Sequence, residues 1–395
     1  MLRFLSFLGI FIFILLAWLL SENRKRFSWR IVVLGVVSQF LFALIILKTS
    51  PGRWFFDIVN RAFSRMMKFT DAGSEFLFGG LLKEWSFALK ILPTIVFFSS
   101  FFTVLYYFGI LQKIVKIFAI AFRRLFGTSG AESLSAAANI FIGQTEAPLM
   151  VRPYVEKMTR SELMCVMTGG MATIAGGVMA AYVGMGVSAG HLMAASVMSA
   201  PAAIMFAKIM VPETETPLTA SVTAIDIPVG DRNAIEAAAR GASEGLYLAL
   251  NVGAMLLAFI AFVAFFNYFF GFLGVTMEQV LGWIMAPLAF CMGVPWDEAV
   301  RVGALLGEKT ILNEFVAYAH LSEAIKAGGL SDRSVVIATY ALCGFANLGS
   351  IAIQIGGIGT MAPSRRGEIA ALGIKSMIAG TFASFVTANI AGMLL

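Results

Sequence analysis

Charge is what this chain has least of. Only 13% of its 395 residues are Asp, Glu, Lys or Arg, against about 25% in a soluble domain, which excludes an ordinary water-soluble globule. A net charge of +6 would suit nucleic acid. The basic residues, however, sit in short clusters beside apolar runs, where they set membrane orientation, so no nucleic-acid partner is expected. Cysteine is scarce too: Cys165, Cys291 and Cys343 lie in apolar surroundings with no C-x-x-C spacing. They read as small packing residues rather than a metal or disulfide framework. Two histidines, His191 and His320, fall in different segments without a metal-ligand pattern. No phosphate-binding loop is present, because Gly307-Glu308-Lys309-Thr310 has Val302 where the upstream glycine is needed. No catalytic reading survives these absences, and ATP-driven transport is disfavoured.

What remains is oil. The hydrophobic fraction is 59% and the mean hydropathy +0.86, which describe an all-α polytopic membrane protein. The chain has room for roughly eight to ten spans of about 20 residues. The 38 glycines fall inside apolar runs, as close helix packing and broken helices require.

Residues 2–20 form one apolar stretch with a basic stop, Arg24-Lys25-Arg26. That stretch is too long for a signal peptide and lacks a small-residue cleavage site. It reads as a retained helix whose basic flank is cytoplasmic, leaving the N-terminus outside. A second span covers about Ile31–Leu47. From Pro51 to Lys68, apolar residues recur at helical spacing between Arg53, Arg61, Arg65 and Lys68, the pattern of a helix in the interface plane. Trp85–Ile110 reads as a span kinked at Pro93, followed by a basic amphipathic stretch from Lys113 to Arg124. Further spans cover His191–Val211, Gly245–Phe272 and Ile369–Leu395. Pro212–Ala242 reads as a cytoplasmic connector leading into a short Ala-rich helix. Glu278–Met292, interrupted by Pro287, reads as interfacial or partly inserted.

Two polar stretches interrupt this pattern. Gly143-Gln144-Thr145-Glu146-Ala147-Pro148 lies within Gly130–Met158, and Asn313-Glu314-Phe315 within Asp297–Ser322. A carboxylate at membrane depth costs roughly 2.5–3.5 kcal/mol on insertion scales, so each marks a wet cavity or a ligand. Apolar arms of about 10–12 residues suit re-entrant hairpins better than crossings. Glu308 and Lys309 read as an ion pair. Ser161–Ser188, with Thr168-Gly169-Gly170 through Gly176-Gly177, and Ser334–Met361, with Gly344 to Ser350, read as helices unwound at their centres.

Each half thus offers a span, a polar-tipped hairpin, a broken helix and a further helix. Residues 1–84 read as scaffold, 85–211 as the first repeat, with hairpin 130–158 and broken helix 161–188. Residues 212–242 are the connector. Residues 243–395 are the second repeat, with hairpin 297–322 and broken helix 334–361. Basic flanks put the first hairpin on the cytoplasmic side, and counting crossings puts the second outside. Two such units of opposite orientation are the pattern of secondary transporters with a midplane site. A channel uses rings of like residues or carbonyls, whereas the amides, hydroxyls and carboxylates here are diverse, as a shaped polar solute demands. Both termini are expected to be periplasmic.

Gly143 to Pro148 with Val151-Arg152-Pro153, Asn313-Glu314-Phe315-Val316-Ala317-Tyr318, and Cys343-Gly344-Phe345-Ala346-Asn347-Leu348-Gly349-Ser350 resemble the motifs of the concentrative nucleoside transporters over essentially the whole chain. The resemblance implies a homotrimer with eight membrane helices, interfacial helices and two re-entrant hairpins in inverted repeats. It implies nucleoside uptake coupled to sodium or, in some bacterial members, to protons. It further implies that Gln144, Thr145 and Glu146 meet the nucleobase, that Glu314, Asn347 and Ser350 hold the ribose hydroxyls, and that Phe345 lines the pocket. Asn139, the carbonyl of Ile142, Thr173 and the carbonyl of Ile174 would hold one sodium ion. Thr stands at 173 where the resemblance leads one to look for Ser, but both bring a hydroxyl. Read alone, Asn139 and Thr173 also have a lesser reading as interhelical hydrogen-bond glue, and Phe345 one as plain core. The compact chain suggests a bacterial inner membrane.

Overall fold

The computed structural model describes residues 1–83, 87–220 and 231–395, and every regular element among them is helical. The start of the expected third span at Trp85, and the connector's Pro228, lie outside the described residues. Apolar helices α1 (Leu2–Leu19) and α2 (Trp29–Lys48) open the chain. Next comes the amphipathic α3 (Ser50–Phe78), which carries the Arg and Lys residues between its apolar positions as the spacing predicts.

The first half then runs through α4 (Leu92–Tyr107) and the amphipathic α5 (Ile110–Phe126) into a hairpin. The hairpin descends as α6 (Gly130–Ala138), turns through 139–145 and returns as two short pieces, α7 (Glu146–Leu149) and α8 (Arg152–Val155). A helix broken into α9 (Arg160–Ala172) and α10 (Gly176–Gly184) follows, and then α11 (Ala189–Met210). The second half repeats this order: α12 (Ala234–Gly271), α13 (Met277–Cys291), a hairpin of α14 (Trp296–Ile311) and α15 (Glu314–Lys326), a broken helix α16 (Asp332–Leu342) and α17 (Leu348–Met361), and α18 (Arg366–Leu394). Among the described residues, seven helices are long and apolar enough to cross a membrane, or eight if the bent pair α13–α14 counts as one span.

Several expectations need adjustment. Pro93 lies just after a π-helical turn, Phe87–Ile91, that runs directly into α4 within one span, Ala88–Tyr107, so its missing N–H falls where the ladder changes register. The Ala-rich segment is not a separate helix but the start of α12, whose 38 residues extend about 57 Å, well beyond a hydrocarbon core of about 30 Å. Residues 278–292 form a regular helix whose 116° turn into α14 brings the two together; α13 corresponds to α5 of the first half. In the second hairpin α14 has 16 residues, longer than the expected arm. The first return arm is shorter, because Pro148 and Pro153 deny it a continuous ladder.

Hydrogen-bonded caps explain where the inner elements start. Ser129 and Thr159 each close a capping box, with Glu132 and Glu162 as the reciprocal acids. Burial separates the layers: α9–α10 and α11 are 94% buried over their apolar windows, whereas α12 is 11% buried. The former make the centre and α12 an outer wall.

The single helix α1 orients both hairpins. Near its C-terminal end, Glu22 bridges Arg160 at 2.8 Å and Lys375 at 2.5 Å, and Arg26 donates to the Glu213 carbonyl at 3.3 Å. The first hairpin's base is at this end, since Glu132 pairs with Lys208 at 2.6 Å and Lys208 with Glu213 at 3.4 Å. Near the N-terminal end, Ser6 donates to the Met292 carbonyl at 2.8 Å, Arg333 donates to the Gly293 carbonyl at 2.9 Å, and Arg3 reaches the Leu395 carbonyl at 2.6 Å. The second hairpin's base is there, with Ser331 donating to Glu298 at 2.9 Å. The hairpins therefore enter from opposite ends, as inverted repeats require, and both termini share one end.

Candidate functional site

The two helix breaks meet. Gly344 takes φ +127°, and a Cβ there would lie 2.7 Å from the Met171 carbonyl oxygen and 2.9 Å from that of Ala172. Only glycine meets both demands. This crossing brings the polar tips and breaks of both halves into one region.

Glu314 is the first residue of α15, the returning arm of the second hairpin, and is 6% exposed. Its carboxylate accepts from the Tyr182 hydroxyl at 3.1 Å and from Asn347 Nδ2 at 2.7 Å. Asn347 caps α17, and its Oδ1 accepts from the Ser350 N–H at 2.8 Å. The Ser350 hydroxyl accepts from Gln144 Nε2 at 3.0 Å, and Gln144 Oε1 accepts from Gln354 Nε2 at 3.2 Å. One chain of hydrogen bonds thus joins α10, both hairpins and α17, the second half of the second broken helix. The sequence-derived Gln144, Glu314, Asn347 and Ser350 all belong to it.

The other expected residues lie around this chain. Thr145 is half-buried against α17, its Cγ2 3.2 Å from where a Cβ on Gly357 would stand. Phe345 is half-buried on the second break, and its carbonyl accepts from the Asn347 N–H at 2.8 Å. Glu146 is exposed, and its carboxylate folds back over Gly143. No hydrogen bond joins it to Glu314 among the described residues.

The second group gathers at the first break. Asn139 ends α6 fully buried, with Nδ2 donating to the Ser135 carbonyl at 3.0 Å and lying 3.1 Å from where a Cβ on Gly169 would stand. Its Oδ1 has no hydrogen-bond partner among the described residues. Buried polar atoms rarely go unpaired, so this acceptor points to a ligand. The Thr173 hydroxyl donates to the Gly169 carbonyl at 2.9 Å, which leaves its oxygen lone pairs free to accept. Gly176 N–H donates to the Phe141 carbonyl at 3.0 Å, tying the tip beside Ile142 to the break that contains Ile174. Neutral oxygens of this kind suit a hard monovalent cation, and no cluster of His, Cys, Asp or Glu able to hold a metal exists among the described residues.

Four structural roles escaped the sequence. Tyr182 and Gln354 belong to the hydrogen-bond chain but sit in unremarkable apolar runs. Glu308 and Lys309 do not pair: neighbouring helix positions face different ways, so Glu308 meets His320 Nδ1 at 2.8 Å and Lys309 donates to the Ala341 carbonyl at 2.9 Å.

Comparison with known proteins identifies the family. The chain matches the Na+ dependent nucleoside transporter N-terminus at residues 8–81, the nucleoside recognition (gate) region at 88–189, and the Na+ dependent nucleoside transporter C-terminus at 191–392. It is 44% identical to the uncharacterized transporter YutK of Bacillus subtilis, covering 98% of both chains. It is 45% identical to rat solute carrier family 28 member 3, covering 99% of this chain and 59% of that protein. Mouse sodium/nucleoside cotransporter 1 is 40% identical, with 64% of its length covered. This chain thus spans about three fifths of those mammalian relatives. Among solved structures, CNTnw in an inward-facing substrate-bound state superposes with a TM-score of 0.94 at 44% identity, covering 100% of this chain and 98% of that one. A doubly substituted CNTnw in an outward-facing state gives 0.95. The chain belongs to the concentrative, sodium-dependent nucleoside transporter family, integral membrane transporters rather than enzymes.

Proposed function

We propose that this protein is a symporter that drives nucleosides inward with a sodium gradient, taking uridine-like pyrimidine nucleosides and adenosine, with one sodium ion per nucleoside. Glu314, Asn347 and Ser350 hold the ribose hydroxyls; Gln144, Thr145 and Glu146 meet the base; Phe345 lines the pocket. Asn139, Ile142, Thr173 and Ile174 hold the ion. The observation that carries this reading is the hydrogen-bond chain from Tyr182 through Glu314, Asn347, Ser350 and Gln144 to Gln354. A nucleoside is neutral, so its recognition must rest on hydrogen bonds, and a carboxylate is the strongest acceptor for two ribose hydroxyls. The orphaned Asn139 Oδ1 and the Thr173 hydroxyl, from side chains that both lie at Gly169, support sodium as the coupling ion.

The energetics close. One sodium ion crossing about 100 mV gains roughly 2.3 kcal/mol, and a tenfold gradient adds about 1.4 kcal/mol. Together they support accumulation of order several hundred-fold, so one ion per nucleoside suffices. The protein acts as a homotrimer in a bacterial plasma membrane, with both termini periplasmic. The open apolar wall of α12 supplies surface for lipid and for neighbouring copies.

Competition by deoxy analogues tests the site. A site built around sugar hydroxyls rejects an analogue lacking them by about 10⁴-fold or more. Uridine should therefore displace bound radiolabelled uridine from purified protein, and 2′,3′-dideoxyuridine should not. Equal displacement by both would refute the assignment of Glu314, Asn347 and Ser350.

A further inference from the structure

We infer that Lys309 is a tethered cation that stands, in the second half of the molecule, where the coupling ion stands in the first, and that removing its charge opens a second sodium site. The inference rests on the sodium reading above for the first half, and on the internal repeat for the second.

In both halves the descending arm of a hairpin meets the end of a half-helix that stops inside the membrane. Asn139 at the end of α6 lies against α9, next to Gly169. Lys309 in the last turn of α14 lies against α16, donating to the Ala341 carbonyl at 2.9 Å. Both half-helices stop at a break, α9 at Thr173 and α16 at Cys343. Each such end leaves unpaired carbonyls and the negative end of a helix dipole, an arrangement that favours one positive charge.

The two halves supply that charge differently. Around Asn139 the side chains are neutral and under-satisfied: Asn139 Oδ1, Ser135 Oγ and Thr168 Oγ1 are buried without partners among the described residues. That half asks for an ion from outside. Lys309 is 1% exposed; the nearest carboxylate that feels its charge is Glu314, with which it forms no close ion pair among the described residues. Glu308, beside it in sequence, is committed to His320. An ammonium at membrane depth is costly, a cost that a neutral donor would avoid if capping α16 were its whole task. An ammonium and a sodium ion carry the same charge and both seek oxygen, so the chain supplies one cation covalently and takes only the other from solution. A single mobile ion per transport cycle follows.

The test is equilibrium binding of ²²Na⁺ to the purified full-length protein in detergent, without nucleoside, for wild type, Lys309→Gln and Lys309→Arg. Gln keeps an oxygen and loses the charge, and should bind one more sodium per protomer than wild type. Arg keeps the charge and should show no gain. An unchanged count in Lys309→Gln overturns the inference. If wild type binds no sodium, the Asn139 reading falls by itself, while a gain in Lys309→Gln still upholds the role of Lys309. If Lys309→Gln folds poorly, its melting temperature should rise with sodium more steeply than that of wild type; a loss of fold that sodium does not relieve overturns the inference.

Discussion

Replacing Glu314 by Gln turns one carboxylate oxygen into an amino group while keeping the shape. The native carboxylate accepts from Tyr182 at 3.1 Å and from Asn347 at 2.7 Å. With Gln, one of these donors faces another donor, and an unpaired buried polar group costs about 1–3 kcal/mol. The hydrogen bond from ribose to a charged oxygen is lost as well, worth about 1.5–3 kcal/mol. Together the loss is roughly 3–5 kcal/mol, which corresponds to a fall of order 10²–10⁴-fold in kcat/KM for uridine uptake. The assay is initial-rate uptake into proteoliposomes, paired with size-exclusion chromatography to confirm that the variant remains folded and assembled. Uptake within about threefold of wild type, under 1 kcal/mol, would refute the role given to this carboxylate.

Tyr182→Phe removes one donor to the same carboxylate and leaves Asn347 in place, so KM for uridine should rise about tenfold, in line with the loss of one charge-assisted bond; an unchanged KM would make Tyr182 a packing residue only. Asn139→Ala should raise the sodium concentration for half-maximal uptake several-fold, and an unaltered sodium response would remove Asn139 from the ion site. At the membrane edge, the hydrogen bond from Arg160 beside Glu22, reinforced by Lys375, holds that carboxyl down from 4.5 to about 2. Because the folded value is depressed, the stabilisation is fully present above pH 4.5 and disappears as pH falls through about 2. Glu22→Gln should therefore cost about 1 kcal/mol at neutral pH, as expected for a partly exposed network. Its melting temperature should converge on that of wild type as the pH drops from 4.5 to 2, and a constant difference would contradict the linkage.

Much of this architecture was legible in the chain, because a membrane makes polarity expensive. Glu146, Glu314 and the Gly-rich breaks stood out against apolar runs, and their order revealed the repeat. The basic flank at Arg24–Arg26 and those of the first hairpin predicted a common side, and those ends do gather through Glu22, Arg160, Glu368 and Lys375. The hydrogen-bond partners were harder to read. Tyr182 meets Glu314 only because α10 crosses the second hairpin, and Gln354 meets Gln144 across the two halves; neither neighbourhood is written in local sequence. Lys309 looked like a partner for Glu308, and only the three-dimensional crossing turned it toward the end of α16. Length misled in one place. Ala-rich sequence before Gly245 read as a short helix, yet nothing there breaks the ladder, so α12 runs unbroken from Ala234.

Sodium-driven accumulation of uridine is the measurement that tests the central claim most directly. Purified protein in proteoliposomes is given an inward sodium gradient, or an inward proton gradient without sodium, and internal radiolabelled uridine is followed to its plateau. The account predicts a plateau well above the external concentration with sodium, and equilibration at most with protons. Accumulation driven by protons alone would contradict the ion site at Asn139 and Thr173, and a plateau that never exceeds the external concentration would contradict symport itself.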